Sequence, residues 1–128
     1  SPSKLRATLN AVKKQFPERR LVACMELHTY SSLNEDFLPQ YAGSMEQADV
    51  ALVYYDPAVV TAKNLKELQP EVVRKAFGGN NITVFTDIQQ LEMHLKKLEK
   101  KDSALVFMSS GNFSGLDTKA LAKELMGL

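Results

Sequence analysis

Two stretches of the chain concentrate the side chains that can do chemistry. The first is Glu26-Leu27-His28-Thr29-Tyr30-Ser31-Ser32-Leu33-Asn34, which sets a carboxylate, an imidazole, a phenol and several hydroxyls in one short run. Such a set can surround a polar group with donors and acceptors, and a helix starting after it would add free backbone N–H groups suited to an anion. His28 alone says little, because a lone histidine is more often structural. Its company of Tyr30, Ser31 and Asn34 singles it out, against the plainer view of a polar loop in which Ser and Asn only cap. The second stretch is Ser109-Ser110-Gly111-Asn112-Phe113-Ser114-Gly115. Its glycines let the backbone approach a ligand closely or take positive φ, where the plainer view is a flexible turn.

Other chemistries find no residues. There is no Gly-Lys-Ser/Thr phosphate loop, no dinucleotide fingerprint, no Gly-x-Ser-x-Gly and no zinc-type His/Cys spacing. Cys24, the one cysteine, cannot form an internal disulfide; within Leu21-Val22-Ala23-Cys24-Met25 it reads as a buried free thiol. His94 is remote from His28, and no metal site is expected. A phosphoacceptor receiver domain would need an acidic cluster after the first strand, where only Glu26 stands, and Asp56 is its only mid-chain candidate.

The elements that must position the two stretches alternate. Pro2-Ser3-Lys4 opens a helix with Leu5, Leu9, Val12 and Phe16 on one face, capped by Ser1 or Ser3. Continuous apolar runs at Leu21–Met25, Val50–Tyr55, Ile82–Phe85 and Ala104–Met108 read as strands covered on both faces. A helix capped by Asn34 is predicted through Phe37, Leu38, Tyr41 and Met45, with Pro39 near its start. Residues 58–69 read as a loop with short helical turns. Further helices are predicted from Pro70 to Phe77, from Ile88 to Leu98 behind the Thr86-Asp87 cap, and from Asp117-Thr118 through Leu121, Leu125 and Met126. Lys96, Lys97, Lys100 and Lys101 would serve the negative end of the fourth of these five helices. The alternation predicts a three-layer, Rossmann-like α/β domain, a mostly parallel sheet with helices on both faces. In such a sheet ligands gather at the carboxyl ends of the strands, where both polar stretches fall.

The 128 residues suffice for one domain, with 45% hydrophobic and 24% charged residues and a formal charge of +1. That balance gives no warrant for a nucleic-acid partner, and no apolar run approaches the roughly 20 residues of a membrane span. A cytoplasmic monomer is the expectation. Ser1-Pro2-Ser3 leads into a helix without a Met, so the chain is expected to be a piece of something longer.

Three stretches together resemble the C-terminal domain of the Mur ligases, along essentially the whole chain. Ser1-Pro2-Ser3-Lys4-Leu5-Arg6-Ala7-Thr8-Leu9 is similar to the end of the family's junction motif, acidic-aromatic-x-His-x-Pro, and the helix after it. Arg19-Arg20-Leu21-Val22-Ala23 through Glu26-Leu27-His28-Thr29-Tyr30-Ser31 is similar to the family's strand and substrate-facing loop. Muramate:alanine ligases have His-Arg-Tyr there and this chain has His28-Thr29-Tyr30, so the charged contact of that arginine does not carry over. Met108-Ser109-Ser110-Gly111-Asn112-Phe113-Ser114-Gly115 is similar to Met-Ser-Asn-Gly-x-Phe-Gly-Gly of the murein peptide ligases, from which Ser110 and Ser114 depart.

The resemblance implies an ATP-dependent ligase that joins a recycled tripeptide, L-alanyl-γ-D-glutamyl-meso-diaminopimelate, to UDP-N-acetylmuramate through an acyl phosphate, a step of peptidoglycan recycling. ATP and magnesium would be held by a central domain preceding this one, beyond an N-terminal domain. This domain would bind the peptide and close over the nucleotide, would carry no catalytic residue of its own and would be inactive alone. His28, Tyr30, Ser31, Asn34, Ser110, Gly111 and Asn112 would face the substrate, and Ser1 and Pro2 would lie at the hinge near ATP. Two alternatives stay open: a muramate:L-alanine ligase domain, or a free-standing α/β module that binds an anion or a partner without catalysis.

Overall fold

A computed structural model describes residues Ser1–Leu128. The four apolar runs form four parallel strands, β1 (Arg20–Glu26), β2 (Val50–Tyr54), β3 (Ile82–Phe85) and β4 (Ser103–Met108), in the order β3-β2-β1-β4. β1 is paired on both edges, and every residue of it after Arg20 is buried. A strand so enclosed must be apolar throughout, which is why its sequence runs continuously rather than alternating.

Side-chain alternation divides the core in two. Leu21, Ala23 and Met25 of β1 join Ala51 and Val53 of β2 on one face, with Leu5 and Leu9 of α1 (Pro2–Gln15), Val60 of α2 (Pro57–Ala62), and Val73 and Phe77 of α3 (Pro70–Phe77). Val22, Cys24, Leu52 and Tyr54 face the other side, under Leu91 and Leu95 of α4 (Ile88–Lys97) and Leu121 of α5 (Thr118–Leu125). The three-layer α/β expectation is met. Ser1, Asp56, Asp87 and Asp117 each accept a backbone N–H at a helix start. Lys100 Nζ donates to the carbonyls of Leu95, at 2.9 Å, and Lys96, at 3.1 Å, so this lysine does serve the end of α4.

One predicted element is absent. Between β1 and β2 no α-helix forms over residues 34–45, only a 3-10 turn at Leu38–Tyr41 within a chain of tight turns. Pro39 has no N–H to give a helix interior, and Gly43, at φ +75°, turns the backbone left-handed. Asn34 does cap, but a turn: its Oδ1 accepts from Asp36 N at 2.9 Å. The apolar positions are buried nonetheless, with Tyr41 stacked on Phe77 at 4.9 Å between centroids. The short helical turns expected within residues 58–69 are supplied by α2, a helix of six residues that starts one position earlier, at Pro57.

The order of the strands locates the site. From β1 the chain steps to β2 and β3 on one side, then returns to place β4 against the opposite edge of β1. The strands that follow β1 thus lie on one side of it and β4 on the other, and a crevice opens outside the carboxyl ends of β1 and β4. No helix is long and apolar enough to cross a membrane.

Burial pushes the Cys24 thiol up to about 12 from 9.0, and burial with the nearby Glu67 charge pushes the Tyr55 phenol up to about 12 from 10.0. Both groups keep their protons in the fold at pH values where the unfolded chain releases them. Stability must then fall as pH rises above about 9, by about 1.4 kcal/mol per pH unit for each proton concerned. We expect the urea midpoint to decline between pH 9 and 11, Cys24→Ala to remove the first part of the decline, and Cys24 to resist a thiol reagent until the protein unfolds.

Candidate functional site

The carboxyl ends of β1 and β4 lie side by side. Their register pairs Met25 with Met108, and its continuation brings Glu26 beside Ser109. Glu26 is only 2% exposed. Its Oε1 accepts from the Ser109 hydroxyl and, at 2.9 Å, from the Phe113 N–H. Ser109 Oγ in turn accepts from Gly111 N at 2.7 Å. One buried carboxylate oxygen thus holds the loop after β4 onto the end of β1. A buried carboxylate needs such donors, because burial without them is costly.

The loop's shape follows from these contacts. Phe113 is buried and packs against Tyr54, centroids 6.4 Å apart, and edge-on to Phe107 at 5.9 Å. Gly111 runs directly over His28: a Cβ there would lie 2.6 Å from His28 Cγ and 2.9 Å from Glu26 Oε1. The close approach that the glycine allows is to the imidazole. Gly115 serves the other purpose of a glycine, positive φ, at +87°. Ser114 shares the left-handed region at φ 53°, and its Oγ lies 2.6 Å from Tyr54 Oη.

Below these contacts is a cavity of about 170 Å3. Met25, Tyr41 and Met108 supply its apolar wall. Glu26, Ser109 and Ser110 line it from the sheet, Thr29 and Ser32 from the loop after β1, and Ser1 and Lys4 from the start of α1. Thr29 and Ser32 fix each other: Ser32 N donates to Thr29 Oγ1 at 3.1 Å, and Ser32 Oγ to Thr29 O at 3.0 Å.

The nine residues singled out from the sequence divide accordingly. Ser1 and Ser110 line the cavity and Pro2 sits beside Ser1 in the first turn of α1, while His28 meets Gly111 and does not line the cavity. Asn112 faces a separate crevice between Phe107 and the start of α5. Tyr30 is 58% exposed, and neither it nor Ser31 lines the cavity. Asn34 borders a different groove with Asp36 and Asn64. Glu26, Thr29, Ser32, Ser109 and Lys4 were not singled out. For Glu26 the usable signal was a carboxylate ending an otherwise apolar strand.

The arrangement can bind and orient a small polar molecule. No group of three or more His, Cys, Asp or Glu side chains converges anywhere in the chain.

No family model matches the chain. A UDP-N-acetylmuramate–L-alanine ligase of Sulfurihydrogenibium sp. (strain YO3AOP1) is 29% identical over 127 residues, which cover 97% of this chain and 27% of that protein. A murein peptide ligase of Psychrobacter arcticus has the same fold, with a TM-score of 0.70 and 24% identity over 99% of this chain and 26% of its own. A domain assigned to a UDP-N-acetylmuramate:L-alanyl-γ-D-glutamyl-meso-diaminopimelate ligase of Haemophilus ducreyi has a TM-score of 0.62 and 22% identity, over 98% of this chain and 84% of that one. The resemblance to the Mur ligases is therefore met in sequence and in fold. The chain spans about a quarter of the length of the curated relative.

Gly111→Ala should drive a methyl into the His28 ring and Glu26. We expect a loss of about 1 to 3 kcal/mol in urea unfolding. His28→Ala in the same chain should recover part of it. Strict additivity of the two substitutions would show that the ring and the glycine do not touch.

Proposed function

We propose that this chain is the C-terminal domain of an ATP-dependent ligase that joins the murein tripeptide L-alanyl-γ-D-glutamyl-meso-diaminopimelate to UDP-N-acetylmuramate, in cytoplasmic recycling of the cell wall. One observation carries the reading. The three stretches that resemble the Mur ligases, around Ser1, His28 and Ser109–Gly115, lie far apart in sequence and converge on one cavity at the strand switch.

The nucleotide chemistry belongs to the rest of that enzyme. This chain has no Gly-Lys-Ser/Thr loop to cradle a triphosphate and no converging carboxylates for magnesium. The residues present here supply neither a triphosphate cradle nor a magnesium site of their own, and the domain's part would be to hold the amine substrate and close over the nucleotide. A substrate held against an activated carboxyl group gains from proximity what a freely diffusing amine lacks, and closure of the domain excludes water that would otherwise hydrolyse that group. His28, packed against Gly111, would hydrogen-bond the substrate, Ser110 and the backbone of Gly111 would offer donors, and Asn112 would reach it from the neighbouring crevice. Ser1 and Pro2, at the start of α1, lie where the domain would hinge.

A second reading keeps the ligase and changes the amine to L-alanine. It is favoured by the sequence relative, an L-alanine ligase, and by a cavity sized for one amino acid rather than a whole tripeptide.

The test is turnover by the full-length protein with UDP-N-acetylmuramate and ATP, measured as phosphate release. Preferential use of the tripeptide is the expected result; preference for L-alanine selects the second reading, and no release with either amine overturns both. His28→Ala and Asn112→Ala should each raise KM for the amine about tenfold, the worth of one hydrogen bond to a charged group. Unchanged amine kinetics in both would remove these residues from the substrate site.

A further inference from the structure

The loop after β4 holds its shape against its own backbone preference. Phe113, Ser114 and Gly115 follow one another at φ 52°, 53° and 87°. A glycine enters this left-handed region freely, and Asn or Asp at small cost, as Asn64 and Asp102 do elsewhere in the chain. For phenylalanine and serine it is a strained state, which persists only where the surroundings hold it. Phe113 and Ser114 are the only adjacent pair of non-glycine residues in that region.

Two strands hold the pair. The Phe113 N–H donates to Glu26 at the end of β1, and the Phe113 ring is buried between Tyr54 and Phe107. Ser114 is exposed, and its one side-chain hydrogen bond is with the Tyr54 hydroxyl, 2.6 Å away. Tyr54 is the last residue of β2 and only 2% exposed. In the order β3-β2-β1-β4 the strand β1 lies between Tyr54 and β4, so Tyr54 reaches past one strand to grip a loop that leaves another. Its ring alone would serve the packing on Phe113. The buried hydroxyl adds a polar group that must be satisfied, and Ser114 is its only partner.

Strain of this kind gathers where a backbone has to be aimed. Directly before the strained pair stand Ser110, Gly111 and Asn112, the residues proposed above to offer donors to the amine substrate. We propose that Tyr54 is a positioning residue, whose hydroxyl latches the 109–115 loop through Ser114 in the left-handed shape that presents those three residues. The inference rests on the reading of this loop as facing the amine substrate. It adds the residue that aims the loop, one that is itself buried and lies on a strand outside both site stretches.

The latch can be read without turnover. The amides of Gly111, Phe113, Gly115 and Leu116 donate to Ser109, Glu26, Asn112 and Phe113 in that order, so their hydrogen exchange reports opening of the loop. The experiment measures this exchange, and the KM for the amine, in the full-length protein and its variants. Tyr54→Phe keeps the ring on Phe113 and removes the hydroxyl. It should speed loop exchange about fivefold and raise the amine KM by a similar factor, the worth of one hydrogen bond, with kcat and the KM for UDP-N-acetylmuramate within about twofold. Ser114→Ala and Ser114→Gly both remove the partner hydroxyl, but glycine takes the left-handed shape unaided. Ser114→Gly should therefore keep a lower amine KM than Ser114→Ala, and adding Tyr54→Phe to either should change little. At an exposed position these two keep the inference testable if Tyr54→Phe does not fold. Amine KM values raised equally in Ser114→Ala and Ser114→Gly would mean that the hydroxyl itself meets the substrate, and would overturn the inference. Unchanged loop exchange in Tyr54→Phe also overturns it. A merely structural bond lowers the urea midpoint and leaves the amine KM as it was, and that result overturns it too. Faster exchange in a protein without ligase turnover leaves the latch standing and removes the ligase reading; normal turnover with unchanged exchange does the opposite.

Discussion

The structure depends on the enclosure of β1. This strand has neighbours on both edges and a helical layer on each face, so it has room for a polar side chain only at its ends. At the amino end Asp49 accepts the Leu21 N–H at 2.7 Å, with Lys13 nearby, and that backbone bond holds the Asp49 carboxyl below its ordinary range against the opposing effect of burial. At the carboxyl end Glu26 accepts from Ser109 and Phe113. Each carboxylate ties β1 to the segment that must sit beside it, one leading into β2 and one following β4. The interior between them carries no polar demand, so the positioning chemistry collects where the strand order reverses.

Much of this was legible in the sequence because burial leaves a mark on composition. The runs at Leu21 and Val50 are apolar on both alternating sets and are buried on both faces, whereas β3 and β4, read from the sequence in the same way, are edge strands that are only partly buried, with Thr83 exposed. The segment between β1 and β2 misleads for an equally physical reason. Phe37, Leu38, Tyr41 and Met45 have helical spacing and face the core, but a succession of tight turns satisfies the same spacing without a helix. Pro39 and Gly43 are the residues that decide between them.

The two site stretches stood out by composition, and the structure brings both to the same crevice. Which members of each stretch face the cavity was not legible. A loop's composition does not say which way each side chain turns, and here Thr29 and Ser32 turn inward while Tyr30 and Ser31 do not. The role of Glu26 was further hidden because it is set by the β1–β4 register, which joins residues 83 apart in sequence. Only the reversal of strand order makes them neighbours.

Ser114 shows how a departure from a family pattern can be accommodated. The murein peptide ligase pattern has a glycine at this place, and the backbone of Ser114 is left-handed, a region that a glycine enters freely and a serine at a cost of about 1 kcal/mol or more. Phe113, before it, is also left-handed, at φ 52°. These conformations persist because side chains outside the loop hold it: Tyr54 of β2 reaches the Ser114 hydroxyl, and Glu26 of β1 takes the Phe113 N–H. The loop is thereby fastened to two strands besides the one it leaves. A loop fastened in that way has already lost the freedom that binding would otherwise have to remove, so in the proposed role its donors would meet a substrate without further ordering. The strain of the two left-handed residues and the readiness of the site have one origin, the buried polar ends of β1 and β2.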